Sequence, residues 1–401
     1  MIIKNGKIKI KKISLLQVLF IVSIIITMFS QQINPYYQDK AKYIVGAFFI
    51  IIYCILNSRK LILNSKDLLF INVFITPWLY LCFFSIMGDI INNNPFNYIT
   101  RSLSNVAWVV LGISFAWVSY KLFKKRNLDF IFIACIINYT IVIIEYIKDV
   151  GISGVIESFN YHSIVNSERL IEVHELTYIF GIFILYFLFN KNIEKRWLKI
   201  SISTLYFFMG FKRIAIFALV ISICLIFLIK KIKKIRSYRF FILLCSMPCI
   251  IGSFVLVYII KFEKLSMITE SLLLETNGRN FIWSLFCNEI SFLPVPFGYG
   301  LGYTDRKLEL LGLPQLHNDI LRIFIGVGVL IFILFFWKLF YINSNKLLKH
   351  ININCSKMYL LILIYIFFNM SFSNVGFSYW LHFCFTGIMI NIFHENIDSK
   401  A

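Results

Sequence analysis

Two adjacent cations interrupt a long apolar run in Leu205-Tyr206-Phe207-Phe208-Met209-Gly210-Phe211-Lys212-Arg213-Ile214-Ala215-Ile216. The run extends from Trp197 to Ile229, too long for one helical crossing of a bilayer and short for two. Lysine beside arginine should not sit in hydrocarbon, so the run divides at Gly210-Phe211-Lys212-Arg213 into two short helices joined by a tight turn. That division sets the orientation of every later segment. Without it, Lys230, Lys231, Lys233, Lys234, Arg236 and Arg239 fall on the outside, where basic residues are disfavoured.

Similar apolar runs recur on both sides of this turn, at approximately 13–30, 43–56, 68–87, 103–120, 130–147, 176–190, 198–210, 213–229, 240–260, 319–341, 358–372 and 376–393. They predict an all-α polytopic membrane protein of about twelve transmembrane helices. The composition agrees: 59% of the 401 residues are hydrophobic and mean hydropathy is +0.78, which a water-facing surface could not carry. With the N-terminus in the cytoplasm, 26 of the 40 lysines and arginines fall in cytoplasmic segments and 12 outside, and Arg322 and Lys338 lie within a span. Both termini are then cytoplasmic. The net charge of +20 is spread in short clusters between spans, not gathered on one solvated face, so nucleic acid is not an expected partner.

The first apolar run is longer than the core of a signal peptide and lacks a small-residue cleavage site, so it is expected to remain as an anchor. Nine cysteines without CxxC spacing, most of them inside apolar runs, read as small hydrophobes. With no linker and no internal repeat, residues 1–401 form a single integral membrane domain. Two long loops fall on the outside, 148–175 and 261–318, the second between the ninth and tenth helices. Most of the 20 carboxylates lie in the outside segments.

The second loop collects the residues able to do chemistry. Asn277 followed by Gly278-Arg279-Asn280-Phe281-Ile282-Trp283-Ser284-Leu285-Phe286 predicts an N-capped helix with Phe281/Leu285 and Ile282/Phe286 forming an apolar face. Arg279 falls in its first turn, where free N–H groups favour an anion and the guanidinium can fork onto a phosphate; the plainer reading pairs it with lipid phosphate. Arg213, in the tight turn, is either a stop signal or a ligand for an anion at that depth, and its neighbour Lys212 is the less constrained cation.

Gly298, Gly300 and Gly302 permit either close approach of a ligand to main chain or a plain turn. They follow no predicted strand, which excludes a dinucleotide fingerprint. His317 precedes Asn318 and Asp319, either of which can cap the helix that starts there, and an imidazole is suited to taking a proton near neutral pH. In the first loop, His162, His174, Glu168, Arg169, Glu172 and Glu175 form a mixed-charge group able to shape a sugar site or simply to be solvated. Ionisable groups inside spans are few, which counts against an ion-coupled carrier.

With these residues in place the chain resembles the O-antigen polymerase and O-antigen ligase superfamily, which includes the Wzy-type bacterial polysaccharide polymerases. The hydropathy profile matches along the whole chain, and three local motifs match from Phe211 to Leu330. Phe211-Lys212-Arg213-Ile214-Ala215 is similar to the family's Ser-Arg-small turn, with Lys212 in place of the serine. Gly278-Arg279 with Trp283 is similar to its Gly-Arg followed by Trp. Pro296-Phe297-Gly298-Tyr299-Gly300-Leu301-Gly302, leading to His317-Asn318-Asp319-Ile320-Leu321 and Gly326-Val327-Gly328, is similar to its glycine turn, His-Asn helix start and glycine-bearing span.

The resemblance implies a GT-C-like glycosyltransferase in the bacterial cytoplasmic (inner) membrane, with an extracytoplasmic active site and no metal or other cofactor. Arg213 and Arg279 would hold the pyrophosphate of an undecaprenyl-pyrophosphate-linked oligosaccharide, which serves as donor and acceptor. His317 would take the acceptor proton, inverting the anomeric carbon, with Lys212, Asn318 and Asp319 in support. The product would be an O-antigen, capsular or exopolysaccharide chain. Membrane lipid, a chain-length regulator and a flippase are the further partners it suggests. Alternatives are a ligase of the same superfamily, which passes finished glycan to an acceptor, and a lipid-linked oligosaccharide flippase.

Overall fold

Apolar segments entering a bilayer fold as helices because a helix satisfies its own backbone donors and acceptors. The computed structural model describes residues 2–4, 7–9, 15–33, 35–56, 64–157, 175–210, 212–264, 278–293, 297–313 and 315–395. The first helices are α1 (Leu15–Ile33), α2 (Pro35–Leu56), α3 (Ser65–Ile91), α4 (Phe96–Phe123) and α5 (Arg126–Glu157). They are followed by α6 (Leu176–Phe189), α7 (Arg196–Gly210), α8 (Arg213–Lys231) and α9 (Ile235–Lys261). Two short helices, α10 (Arg279–Ser284) and α11 (Leu301–Leu310), precede α12 (Asp319–His350), α13 (Ile353–Met370) and α14 (Tyr379–Glu395). A three-residue antiparallel pair, Ile2–Lys4 with Lys7–Lys9, stands before them.

Among the described residues, seven helices are long and apolar enough to cross a membrane: α3, α4, the Arg126–Asp149 part of α5, α8, α9, α12 and α13. Leu15–Met28, Ile44–Ile55 and Leu176–Phe189 are shorter apolar helices. Apart from the short N-terminal strand pair, the described secondary structure is helical, and the chain is a multi-pass membrane protein.

Burial separates inner from outer helices. From Leu176 to Phe187 every residue of α6 is buried, and nearly all of α13 is too. By contrast α8 and α9 leave Phe217, Val220, Phe227, Phe240, Leu244 and Ile251 exposed, as helices facing lipid do. α14 packs along α4, α7 along α6, and α8 along α13. Cys135, Cys249, Cys355 and Cys384 are buried as small apolar side chains.

The sequence division between α7 and α8 is present, with α7 ending at Gly210 and α8 beginning at Arg213. A side chain at Gly210 would bring its Cβ to 1.9 Å from Thr177 Oγ1, so α7 can close onto the start of α6 only with glycine there. Lys212 occupies the N-cap position of α8 in extended backbone. Of the first long loop only its two ends are described; His162, Glu168, Arg169, Glu172 and His174 lie outside the described residues.

Candidate functional site

The glycine segment answers the choice left open by the sequence. Tyr299 N donates to Ile325 O at 2.9 Å and Gly300 N to Gly326 O at 2.8 Å, so this backbone lies directly along α12. An added Cβ would sit 2.2 Å from Ile325 O at Gly298, 2.0 Å from Asp89 Oδ1 at Gly300 and 2.3 Å from Tyr98 O at Gly302. Of the three glycines only Gly300 has a positive φ, at 91°. The close approach is therefore to the protein's own α3, α4 and α12, and the ligand-cradle reading is corrected accordingly. Asp89 secures the wedge: its carboxylate accepts from Ser102 Oγ at 2.7 Å and Asn94 Nδ2 at 2.8 Å, while Ser102 Oγ accepts from Gly302 N at 2.7 Å.

The wedge positions α11, and α11 delivers Asp305 into a buried ionic cluster. Asp305 Oδ2 pairs with Arg322 of α12 and accepts from Arg101 Nε at 3.0 Å and Asn105 Nδ2 at 3.1 Å. Arg322 also lies 3.5 Å from Asp319 Oδ1. Two carboxylates and two guanidiniums balance, as burial of charge requires. Burial by itself would raise the Asp305 carboxyl, but Arg322 and Arg101 outweigh it and hold the group below the usual carboxylate range.

α12 begins where it does because Asn318 Oδ1 accepts from Leu321 N at 2.9 Å, so of the two possible caps Asn318 is the one used. Asp319 turns inward instead, and its Oδ2 accepts from Gly376 N at 2.6 Å. His317, just ahead of the cap, is half-buried with φ at 52°, a left-handed conformation in which a non-glycine residue is strained.

α10 is shorter than the sequence suggests. Its six residues start from Gly278 at φ 73°, with no side-chain cap, and Asn277 lies outside the described residues. Ile282, Trp283 and Phe286 are buried, whereas Phe281 is 60% exposed, so the buried stripe is the expected Ile282/Phe286 pair and not Phe281/Leu285. Trp283 Nε1 donates to Leu316 O at 2.7 Å, which fixes α10 against the residue preceding His317.

These pieces converge on the turn Ser371-Phe372-Ser373-Asn374-Val375-Gly376-Phe377-Ser378 between α13 and α14. Arg279 donates to Phe372 O at 3.1 Å, and Trp283 packs against the Phe372 ring. Asn374 Nδ2 donates to Gln315 Oε1 at 2.6 Å, two residues before His317. Tyr178 OH is 2.7 Å from Ser373 Oγ, and the Lys212 ammonium lies over the Tyr178 ring at 5.7 Å. Gly376 meets Asp319 through its N–H and His382 Nε2 through its carbonyl, the latter at 2.8 Å. The turn thus gathers Arg279, the flanks of His317, Asp319 and Lys212. Arg213 follows Lys212 as the first residue of α8 and is tied to the turn by none of these contacts.

Sequence reasoning did not single out the turn, Asp305 or His382. His382 is buried against the Trp78 ring at 4.9 Å. Asn318 Nδ2 and Arg322 Nε are buried with no hydrogen-bond partner among the described residues, so donors remain at this end of α12 for water or a bound group. No group of three or more His, Cys, Asp or Glu able to hold a metal ion occurs among the described residues.

Fold and site together define a helical multi-pass membrane protein with a polar, buried cluster at one end of its inner helices. Set against protein families, curated proteins and solved structures, the chain matches none of them.

Proposed function

We propose that the protein is a polymerase that joins undecaprenyl-pyrophosphate-linked oligosaccharide repeats into an O-antigen, capsular or exopolysaccharide chain. The observation that carries the reading is the convergence of Arg279, the segment around His317, and Lys212 on the single turn 371–378, although they are far apart in sequence. That convergence follows the motif order of the superfamily the sequence resembles. In this reading the chain makes about twelve crossings with both termini in the cytoplasm, and the turn faces the extracytoplasmic side of the bacterial cytoplasmic membrane.

Transfer from a lipid diphosphate places developing charge on the leaving oxygens, which fixed cations stabilise. Arg279 and Arg213 take that role. A guanidinium has five donors, so the anchoring of Arg279 to Phe372 O is compatible with a fork onto phosphate. His317 removes the acceptor hydroxyl proton as that oxygen attacks the anomeric carbon and the carbon–diphosphate bond breaks, which inverts the centre. The strained backbone at His317 supports the role, since such strain collects at functional positions. Asn318 and Asp319 support it by fixing where α12 starts, and Lys212 adds positive charge beside Arg213.

The test is to express His317→Ala and Arg279→Ala in the native host and separate its glycans on a gel. Polymerisation predicts loss of the long-chain ladder and accumulation of single lipid-linked repeats. A full ladder in both variants contradicts the assignment, and a ladder formed but left on its lipid identifies a ligase instead.

A further inference from the structure

α6 and α13, which reach the turn 371–378, and α8, whose N-cap Lys212 lies over the Tyr178 ring, meet again at their other ends. α6 runs from Tyr178 to Phe189, α8 from Arg213 to Lys230, and α13 returns from Met370 to Asn354. A helix of 18 residues rises about 27 Å, so this second meeting place is a bundle length away from the candidate site. There the chain forms a half-open pocket of about 480 Å³ whose polar lining is Asn190, Lys191, Asn192, Lys230, Asn354 and Lys357.

The charge in this pocket is one-sided. Lys357 is only 6% exposed, an unusual place for a lysine in an apolar helix. Its Nζ donates to Ile232 O at 2.6 Å, and Lys230 Nζ donates to Leu188 O at 2.9 Å. Arg196, close by, also spends its guanidinium on carbonyls, those of Phe187 and Leu188. Capping helix carbonyls accounts for one donor of each ammonium, and each ammonium has three. Among the described residues no carboxylate pairs with Lys191, Lys230 or Lys357. Like charges gathered around one cavity repel unless an anion is shared between them.

We propose that this pocket binds a phosphate-type anion, held by Lys191, Lys230 and Lys357 with the three asparagine amides as neutral partners. The same chemistry is offered by inorganic phosphate and by the headgroup of an acidic phospholipid such as phosphatidylglycerol. The site lies away from the proposed polymerisation centre and stands independently of it.

The experiment uses the full chain purified in a maltoside detergent, which carries no phosphate. Inorganic phosphate is titrated by calorimetry, and phosphatidylglycerol is added for native mass spectrometry. Saturable binding of one equivalent is expected for at least one probe: phosphate binding identifies the free anion, and retention of phosphatidylglycerol alone identifies the headgroup. Lys191 and Lys230 are exposed, so K191Q/K230Q should fold, and it should weaken the bound probe by at least about tenfold. K233Q/K234Q removes the same charge just outside the pocket and should change affinity less than about twofold. Failure of both probes to saturate, or equal losses in the two double variants, overturns the proposal.

Discussion

Replacing Asp305 by alanine tests the cluster that ties α11 to α12. The Asp305 side chain is 9% exposed and pairs with Arg322, itself 9% exposed, while accepting from Arg101 and Asn105. Removing one partner of a buried pair costs about 3–5 kcal/mol, because the other charge is left without compensation. Here Asp319, 3.5 Å from Arg322, still offers a carboxylate, and Arg101 is 30% exposed and can recover water. The low end, about 3 kcal/mol, is therefore expected. Reversible unfolding in mixed micelles of the parent, D305A, R322M and the double variant would measure it. The double variant should lose at least about 1 kcal/mol less than the sum of the singles, since each single strands a charge that the double removes. A cost below about 0.5 kcal/mol for D305A, or additive losses, would refute the reasoning.

Acid should probe the same carboxylate. Its folded value is depressed below its unfolded one, so its stabilisation is present above about pH 3.9 and is lost as pH falls through the depressed value; Asp305→Asn should remove that part of the acid dependence in unfolding profiles. Gly300→Ala should destabilise by more than about 2 kcal/mol, because φ is 91° and the new Cβ would meet Asp89 Oδ1; a variant melting with the parent would contradict the wedge. His317→Gly relieves a left-handed backbone and should unfold no earlier than the parent while the glycan ladder is lost, whereas a purely structural histidine would leave the ladder intact.

What the sequence disclosed was local. The break at Lys212-Arg213 came from the cost of charge in hydrocarbon, and the start of α12 from an asparagine at a helix boundary. The glycine segment was visible as a special place, yet its partners were not: Asn92 meets Gly298 O across 206 positions, and nothing in either neighbourhood announces the other. The turn 371–378 escaped notice because it carries no charge; its importance lies in main-chain groups that Arg279, Asp319 and His382 reach. Arg322 read as one of the few ionisable groups within a span, and its balance with Asp305 emerged only once α11 was folded back onto α12. Of the two pairs expected on the apolar face of α10, Ile282 and Phe286 are buried, while Phe281 stays exposed.

The most direct measurement of the central claim is polymerisation by the purified protein. The full chain, reconstituted in liposomes, is given an undecaprenyl-pyrophosphate-linked repeat from the native host, and the products are weighed by mass spectrometry. A series of lipid-linked glycans spaced by one repeat mass is expected, and His317→Ala should abolish it. Lipid-linked repeats that remain single with the parent protein, under conditions where it stays folded, would contradict the polymerase assignment.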